Sequence, residues 1–182
     1  MAWRTLLGVV VACLALAACG GEGDGGSASR STTTTSSSTS TTIPKGPPEG
    51  APAAIDSLEA GQCANDVPSP DQRTVAVLAV GCERPHLYEV YLTFRYPPGS
   101  QKAAPKGAPY PGETAVRSAS EQECYAHFEA WMGRPWSASE FDILVWWPTS
   151  EGWAATADRK VVCAVYPISR ELTVGSVAGA AR

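Results

Sequence analysis

Glu113-Thr114-Ala115-Val116-Arg117-Ser118-Ala119-Ser120-Glu121-Gln122-Glu123-Cys124-Tyr125-Ala126-His127-Phe128-Glu129-Ala130-Trp131-Met132, stopped by Gly133 and Pro135, is the stretch whose reading decides the fold. Val116, Cys124, Phe128 and either Trp131 or Met132 recur about four residues apart, which predicts one apolar stripe on a long helix. Glu113, Arg117, Glu121 and Glu129 fall on its other faces. Such a stripe must be buried against something, and the segments on either side read as strands. Upstream, Thr74 to Val80 is a dense β-branched and aliphatic run, predicting a buried strand. Tyr88, Val90, Leu92 and Phe94 then alternate with Glu89, Tyr91, Thr93 and Arg95, predicting a strand with one face in the core and one towards water. A turn at Pro85 would join these two strands as a hairpin. The Pro-rich segment from Gly99 to Gly112 reads as a loop. Downstream, Phe141 to Trp147, Lys160 to Pro167 and a shorter Leu172 to Val177 complete about five strands. The expected fold class is α+β: an antiparallel sheet with one main helix on a face.

Cysteine placement ties these elements together. The chain has 6 Cys, of which Cys63, Cys82, Cys124 and Cys163 fall in the globular part. Four cysteines allow three pairings, and spacing alone does not choose among them. Cys124 lies in the helix stripe, and Cys163 shares a strand face with Val161 and Val165. A Cys124–Cys163 bridge would therefore staple helix to sheet, leaving Cys63 to pair with Cys82. In the chain-entropy account these bridges contribute about 4 and 3 kcal/mol respectively, a large share of a typical stability of about 5–15 kcal/mol.

The N-terminal residues read differently. Arg4 precedes an uncharged run from Leu6 to Leu16, the layout of a signal peptide over residues 1–18. Eleven helical residues rise about 16 Å, too little for a bilayer core of about 30 Å. The run ends in Leu16-Ala17-Ala18-Cys19, a bacterial lipobox, so Cys19 is expected to carry a diacylglyceryl thioether and to hold the protein on the outer side of the cell membrane by lipid. Residues 19–54 would form a tether, since Ser31 to Thr42 contains only Ser and Thr and offers no apolar surface to offset ordering entropy. Its coil span is about 30–35 Å. The globular domain is expected over residues 55–182, enough chain to bury roughly two-thirds of its unfolded surface.

Charge excludes one class of partner. Lys+Arg number 14 against 18 Asp+Glu, for a net charge of -4, and no cluster of three basic residues occurs. Nucleic acid, which demands a basic footprint, is not an expected partner.

Several short motifs, in order, resemble the septum formation-related domain of actinobacterial envelope proteins, many of them lipoproteins or single-span membrane proteins. They are Leu58-Glu59-Ala60-Gly61-Gln62-Cys63, Val80-Gly81-Cys82, His86 with Glu89-Val90, Tyr110-Pro111-Gly112, Cys124, Trp147-Pro148 to Trp153, Arg159 to Cys163, and Gly175-Ser176-Val177-Ala178-Gly179. One position departs: the family often has glycine two residues before the arginine, where this chain has Ala157. The resemblance implies a role around division and envelope growth. It brings no established catalytic residues.

Candidate sites are few. Cys82 and His86, with Glu83, Glu89 and His127 nearby in sequence, could be imagined as a zinc or nucleophilic site. Zinc requires reduced thiolates and about four ligands, which an extracytoplasmic cysteine with an available partner does not supply. No metal and no cofactor is expected. His86 shares parity with Tyr88 and Val90, which predicts an inward, structural histidine hydrogen-bonded to the turn; His127 reads as a surface residue. No G-x-S-x-G, H-E-x-x-H or phosphate-binding glycine loop occurs, so no catalytic residue is assigned. Trp131, Trp136, Trp146, Trp147 and Trp153 place five indoles within 23 residues. Adjacent Trp146 and Trp147 on a strand must point to opposite faces, of which one helix layer covers only one. Trp147 and Trp153 are the candidate ligand surface. The expected function is a non-catalytic, lipid-anchored domain that binds a division or cell-wall protein, or alternatively a module that stacks cell-wall glycan on tryptophan.

Overall fold

A computed structural model of the chain describes residues 49–68 and 76–182. The signal peptide, Cys19 and the Ser/Thr tract fall outside the described residues, as do Thr74 and Val75. Six strands, β1 (Ala51–Ala54), β2 (Cys63–Asn65), β3 (Ala76–Val80), β4 (Tyr88–Arg95), β5 (Phe141–Trp146) and β6 (Lys160–Pro167), form one antiparallel sheet in the order β1-β3-β2-β4-β6-β5. Helix α1 (Glu113–Met132) packs on one face, and a short α2 (Ser150–Ala155) lies between β5 and β6. Among the described residues no helix is long and apolar enough to cross a membrane.

The helix stripe is Val116, Ser120, Cys124, Phe128 and Met132, all buried; Met132 occupies the last position and Trp131 is only half-buried. Gly133 ends the helix in the left-handed conformation (φ 83°), where lack of a Cβ removes the steric penalty. The C-terminal residues complete this end: Gly179 N–H donates to the Trp131 carbonyl and Ala181 N–H to the Met132 carbonyl, at 2.9 Å each. Between helix and sheet lie Tyr91, Cys124, Phe128, Met132, Phe141, Ile143, Val145, Val161, Cys163, Val165 and Val177. The predicted pairs Cys124–Cys163 and Cys63–Cys82 both form, with Cα separations of 5.7 and 5.2 Å.

Four sequence expectations are corrected. First, β3 and β4 are not a hairpin, because β2 lies between them: Cys63 pairs with Val80 on one side and Glu89 on the other. Three residues are too short to show periodicity, yet β2 is buried throughout. Second, Ala51–Ala54, expected at the end of the tether, pairs with β3 as an edge strand. Its Ala/Pro composition carries no strand signal, and Pro52 is tolerated only because an edge strand can leave one side unpaired. Third, β4 does not keep one alternation. A bulge at Tyr91, between Val90 (paired with Ala164) and Leu92 (paired with Cys163), breaks the alternation, so Tyr88 and Val90 face away from α1 while Tyr91, Leu92 and Phe94 pack on its side. Glu89 and Tyr91, expected towards water, are 3% and 6% exposed. Fourth, Leu172 to Val177 is no strand. It makes a single bridge, Thr173 with His86, and then turns at Gly175 (φ 82°).

The opposite face of the sheet carries a second apolar cluster. Ile55 and Leu58, from the 3-10 turn Ile55–Ser57 and the residue after it, cover Ala64, Val77, Leu87, Tyr88, Val90, Val162 and Ala164. Leu144, Trp146 and Tyr166 lie at the margin of this cluster, half-buried.

Candidate functional site

Strand β5 decides which aromatic residues reach a surface. Phe141, Ile143 and Val145 point under α1, and Trp147, just past the strand, packs against the same cluster. Leu144 and Trp146 therefore point to the uncovered face. Among the described residues no α-helix lies there. The indole on the open face is Trp146, in edge contact with the Tyr88 ring at 5.7 Å between centroids. Trp147 is half-buried on the helix side.

Trp153 is corrected outright: it is 4% exposed and belongs to the interior. Its Nε1 donates to the Ala108 carbonyl at 2.7 Å, and the rings of Tyr96 and Tyr110 meet it edge-on. Beneath it lies Arg159, 1% exposed, with its guanidinium 3.4 Å from the indole centroid. Arg159 donates to the carbonyls of Ala104, Pro105, Trp153 and Asp158. This fan of donors pins the Pro-rich loop between β4 and α1 to α2. Burial of a cation without a carboxylate is tolerated here because four backbone oxygens and a ring face replace water. The arginine was visible in sequence only as part of the motif, since nothing in its composition marks a buried cation.

Trp146 and Trp147 both line a groove of about 460 Å³, together with Ile55, Asp56, Glu113, Thr149, Asp158 and Lys160. Three carboxylates and one ammonium thus flank two indoles. Lys160 Nζ contacts Glu59 Oε1 at 2.7 Å, and this partner holds the Glu59 carboxyl below its ordinary range.

Farther along the open face, polar groups tie the aromatic rings in place. Tyr166 donates to Asp142 Oδ2 at 3.0 Å, and Tyr88 to Asp66 Oδ1 at 2.8 Å. Arg170 lies over both rings, 5.1 Å from Tyr166 and 5.7 Å from Tyr88, and bonds Asp66 at 3.2 Å. Burial, then the acceptor carboxylate, raises both phenols above their ordinary value. The rings are therefore held as neutral, oriented surfaces.

The histidines are placed as follows. His86 is fully buried, with Nδ1 donating to the Arg84 carbonyl at 2.8 Å and Nε2 3.0 Å from Thr173 Oγ1. His127 is exposed on α1 and faces Glu123 at 3.2 Å. Glu83 is exposed at the Gly81 turn. The structure brings neither Glu83 nor His127 to His86; the group that converges instead is Cys63, His86 and Glu89.

A family model described as Septum formation matches residues 60–182. The match begins just before β2 and takes in both disulfides, the groove strand β5 and the Arg159 anchor. Two relatives, from Mycobacterium tuberculosis and Mycobacterium bovis, each named "Putative lipoprotein LppN", are 28% identical over 122 residues, covering 66% of this chain and 62% of the relative. The aligned part thus spans somewhat under two thirds of those proteins. No solved structure matches the chain significantly. With more than half its length matched, the chain belongs to the Septum formation family.

Proposed function

We propose that this protein is a non-catalytic envelope lipoprotein, anchored outside the membrane by lipid at Cys19, whose folded domain binds a protein of the division or wall-synthesis machinery through the open sheet face. The observation that carries the reading is the asymmetry of the sheet. Helix α1 buries one face, while on the other, where among the described residues only the Ile55–Ser57 turn and Leu58 pack, Leu144, Trp146 and Tyr166 stay half-buried at the margin, Tyr166 beneath Arg170. Trp and Tyr side chains, here Trp146 in edge contact with Tyr88 and Tyr166 bonded to Asp142, are the usual anchors of protein interfaces. The lipobox, the family and the naming of the relatives support the location.

The test is in-cell crosslinking and pull-down of the full lipidated chain. Trp146→Ala is expected to lower recovery of the crosslinked division or wall protein at least about tenfold, as loss of an interface anchor does, and Cys19→Ala to abolish it by releasing the protein from the membrane. Recovery that is unchanged by Trp146→Ala would remove the open face from the reading.

The groove favours a second reading, a cell-wall glycan ligand. Indoles in the groove lining suit sugar-ring stacking, and Asp56, Glu113 and Asp158 would accept hydroxyl hydrogen bonds. Saturable tryptophan-fluorescence change on titration with soluble wall fragments, lost in Trp147→Ala, would favour it over the protein partner.

A further inference from the structure

The two disulfides lie in unlike surroundings. Cys124 and Cys163 are both fully buried among apolar side chains under α1. In the other bridge Cys63 is buried, at 1% exposure, but Cys82 is only half-buried, at the turn that follows β3. Two buried polar side chains flank Cys63. Its Sγ, a ring nitrogen of His86 and a carboxylate oxygen of Glu89 all lie within 4.8 Å of one another.

Both flanking groups are held in place. The imidazole is fixed between the Arg84 carbonyl and Thr173 Oγ1. Glu89 accepts from the Val177 N–H at 2.8 Å and from the Ser176 hydroxyl. A structural bridge needs neither group beside it, whereas an exchanging bridge needs one accessible sulfur to attack and a stabilised second sulfur to leave.

We propose that Cys63–Cys82 is a thiol–disulfide exchange site for a dithiol reductant, with Cys82 the sulfur attacked and the His86–Glu89 pair serving the departing sulfur of Cys63. The reductant's thiolate attacks Cys82 Sγ, a mixed disulfide forms there, and the Cys63–Cys82 bond breaks with its electron pair going to Cys63. The departing Cys63 sulfur takes up a proton within this polar cluster, where a ring nitrogen of His86 and a carboxylate oxygen of Glu89 lie within 4.8 Å of it. The proton lost by the attacking thiol to solvent balances the one that the departing sulfur gains. The reductant's second thiol then attacks its own sulfur in the mixed disulfide, leaving Cys82 as a thiol and the reductant as a disulfide. Two electrons pass from the dithiol to the bridge, and Cys124–Cys163 stays closed.

The full chain is treated with limiting glutathione as the probe thiol, quenched with acid, alkylated and mapped by peptide mass spectrometry. Cys63 and Cys82 are expected to open at least about tenfold faster than Cys124 and Cys163, with the first glutathione adduct on Cys82. Equal rates, or a first adduct on Cys63, would overturn the proposal. His86→Gln, which keeps polar reach towards Arg84 and Thr173, is expected to slow opening of Cys63–Cys82 about tenfold without changing Cys124–Cys163. An unchanged rate would overturn the role of the imidazole. If His86→Gln exposes Cys124–Cys163, a sign of lost fold, Glu89→Gln takes its place with the same expected slowing and the same overturning result.

Discussion

Ala157 adopts φ 56°, a left-handed conformation that a Cβ disfavours by about 1–2 kcal/mol. It stands just past the end of α2, where Thr156 and Asp158 N–H groups both donate to the Gly152 carbonyl. Glycine is the usual occupant of such a position, which explains physically why the family often carries glycine two residues before the arginine. The turn delivers Arg159 beneath Trp153, and alanine makes the same turn under strain. Ala157→Gly is therefore expected to raise stability by about 0.5–1 kcal/mol, the relief of strain being partly offset by the greater freedom of glycine in the unfolded chain. Urea denaturation would show it as a higher midpoint at unchanged slope; a lower midpoint would contradict the strain argument.

At the scale of elements, α1 carries one polar residue where its stripe should be apolar. Ser120 is fully buried, and its Oγ has no hydrogen-bond partner among the described residues. An unsatisfied buried hydroxyl costs about 1–3 kcal/mol, and alanine is also the better helix former. Ser120→Ala is expected to stabilise the domain by about 1 kcal/mol, read from the same urea midpoint; a loss of stability would mean that the hydroxyl has a partner. The stripe was legible in sequence because Val116, Cys124, Phe128 and Met132 repeat at helical spacing. The bulge in β4 was not, because its alternation runs unbroken from Tyr88 to Arg95. Only the packing of Tyr91 against Phe128 and Trp131, with its hydroxyl donating to the Cys124 carbonyl at 2.7 Å, shows why the register shifts there. The same parity question decides the surface: Trp146 and Trp147 are alike in sequence, and the side that α1 occupies makes Trp146 the open one.

For the whole molecule, phenols set the alkaline limit. Tyr88, Tyr91, Tyr110, Tyr125 and Tyr166 are all held above the ordinary value of 10.0, in each case chiefly by burial. The folded state favours the neutral phenol, so the unfolded state loses these protons first. The stabilisation is complete below pH about 10 and is lost progressively above it. Urea midpoints measured from pH 8 to 11.5 are expected to be level at first and then to fall above about pH 10. Absorbance at 295 nm should show the Tyr91 phenolate appearing only with unfolding; titration of every tyrosine in the folded state would contradict this.

By itself the sequence determined the main helix and its boundaries and the three strands nearest it, because each rests on local spacing, and both disulfide pairings followed once Cys124 was placed in the helix stripe and Cys163 on a strand face. The tertiary structure alone decided the rest. β1 and β2 exist because neighbouring strands supply backbone partners, not because Ala51–Ala54 or Cys63–Asn65 carry propensity. Trp153 belongs to the core because Arg159 and the Pro-rich loop close over it, and Trp146 belongs to the surface because one helix can cover only one side of a sheet. His86 and Glu89 meet Cys63 only because β2 and β4 pair side by side, a contact between residues distant in sequence that no local pattern encodes.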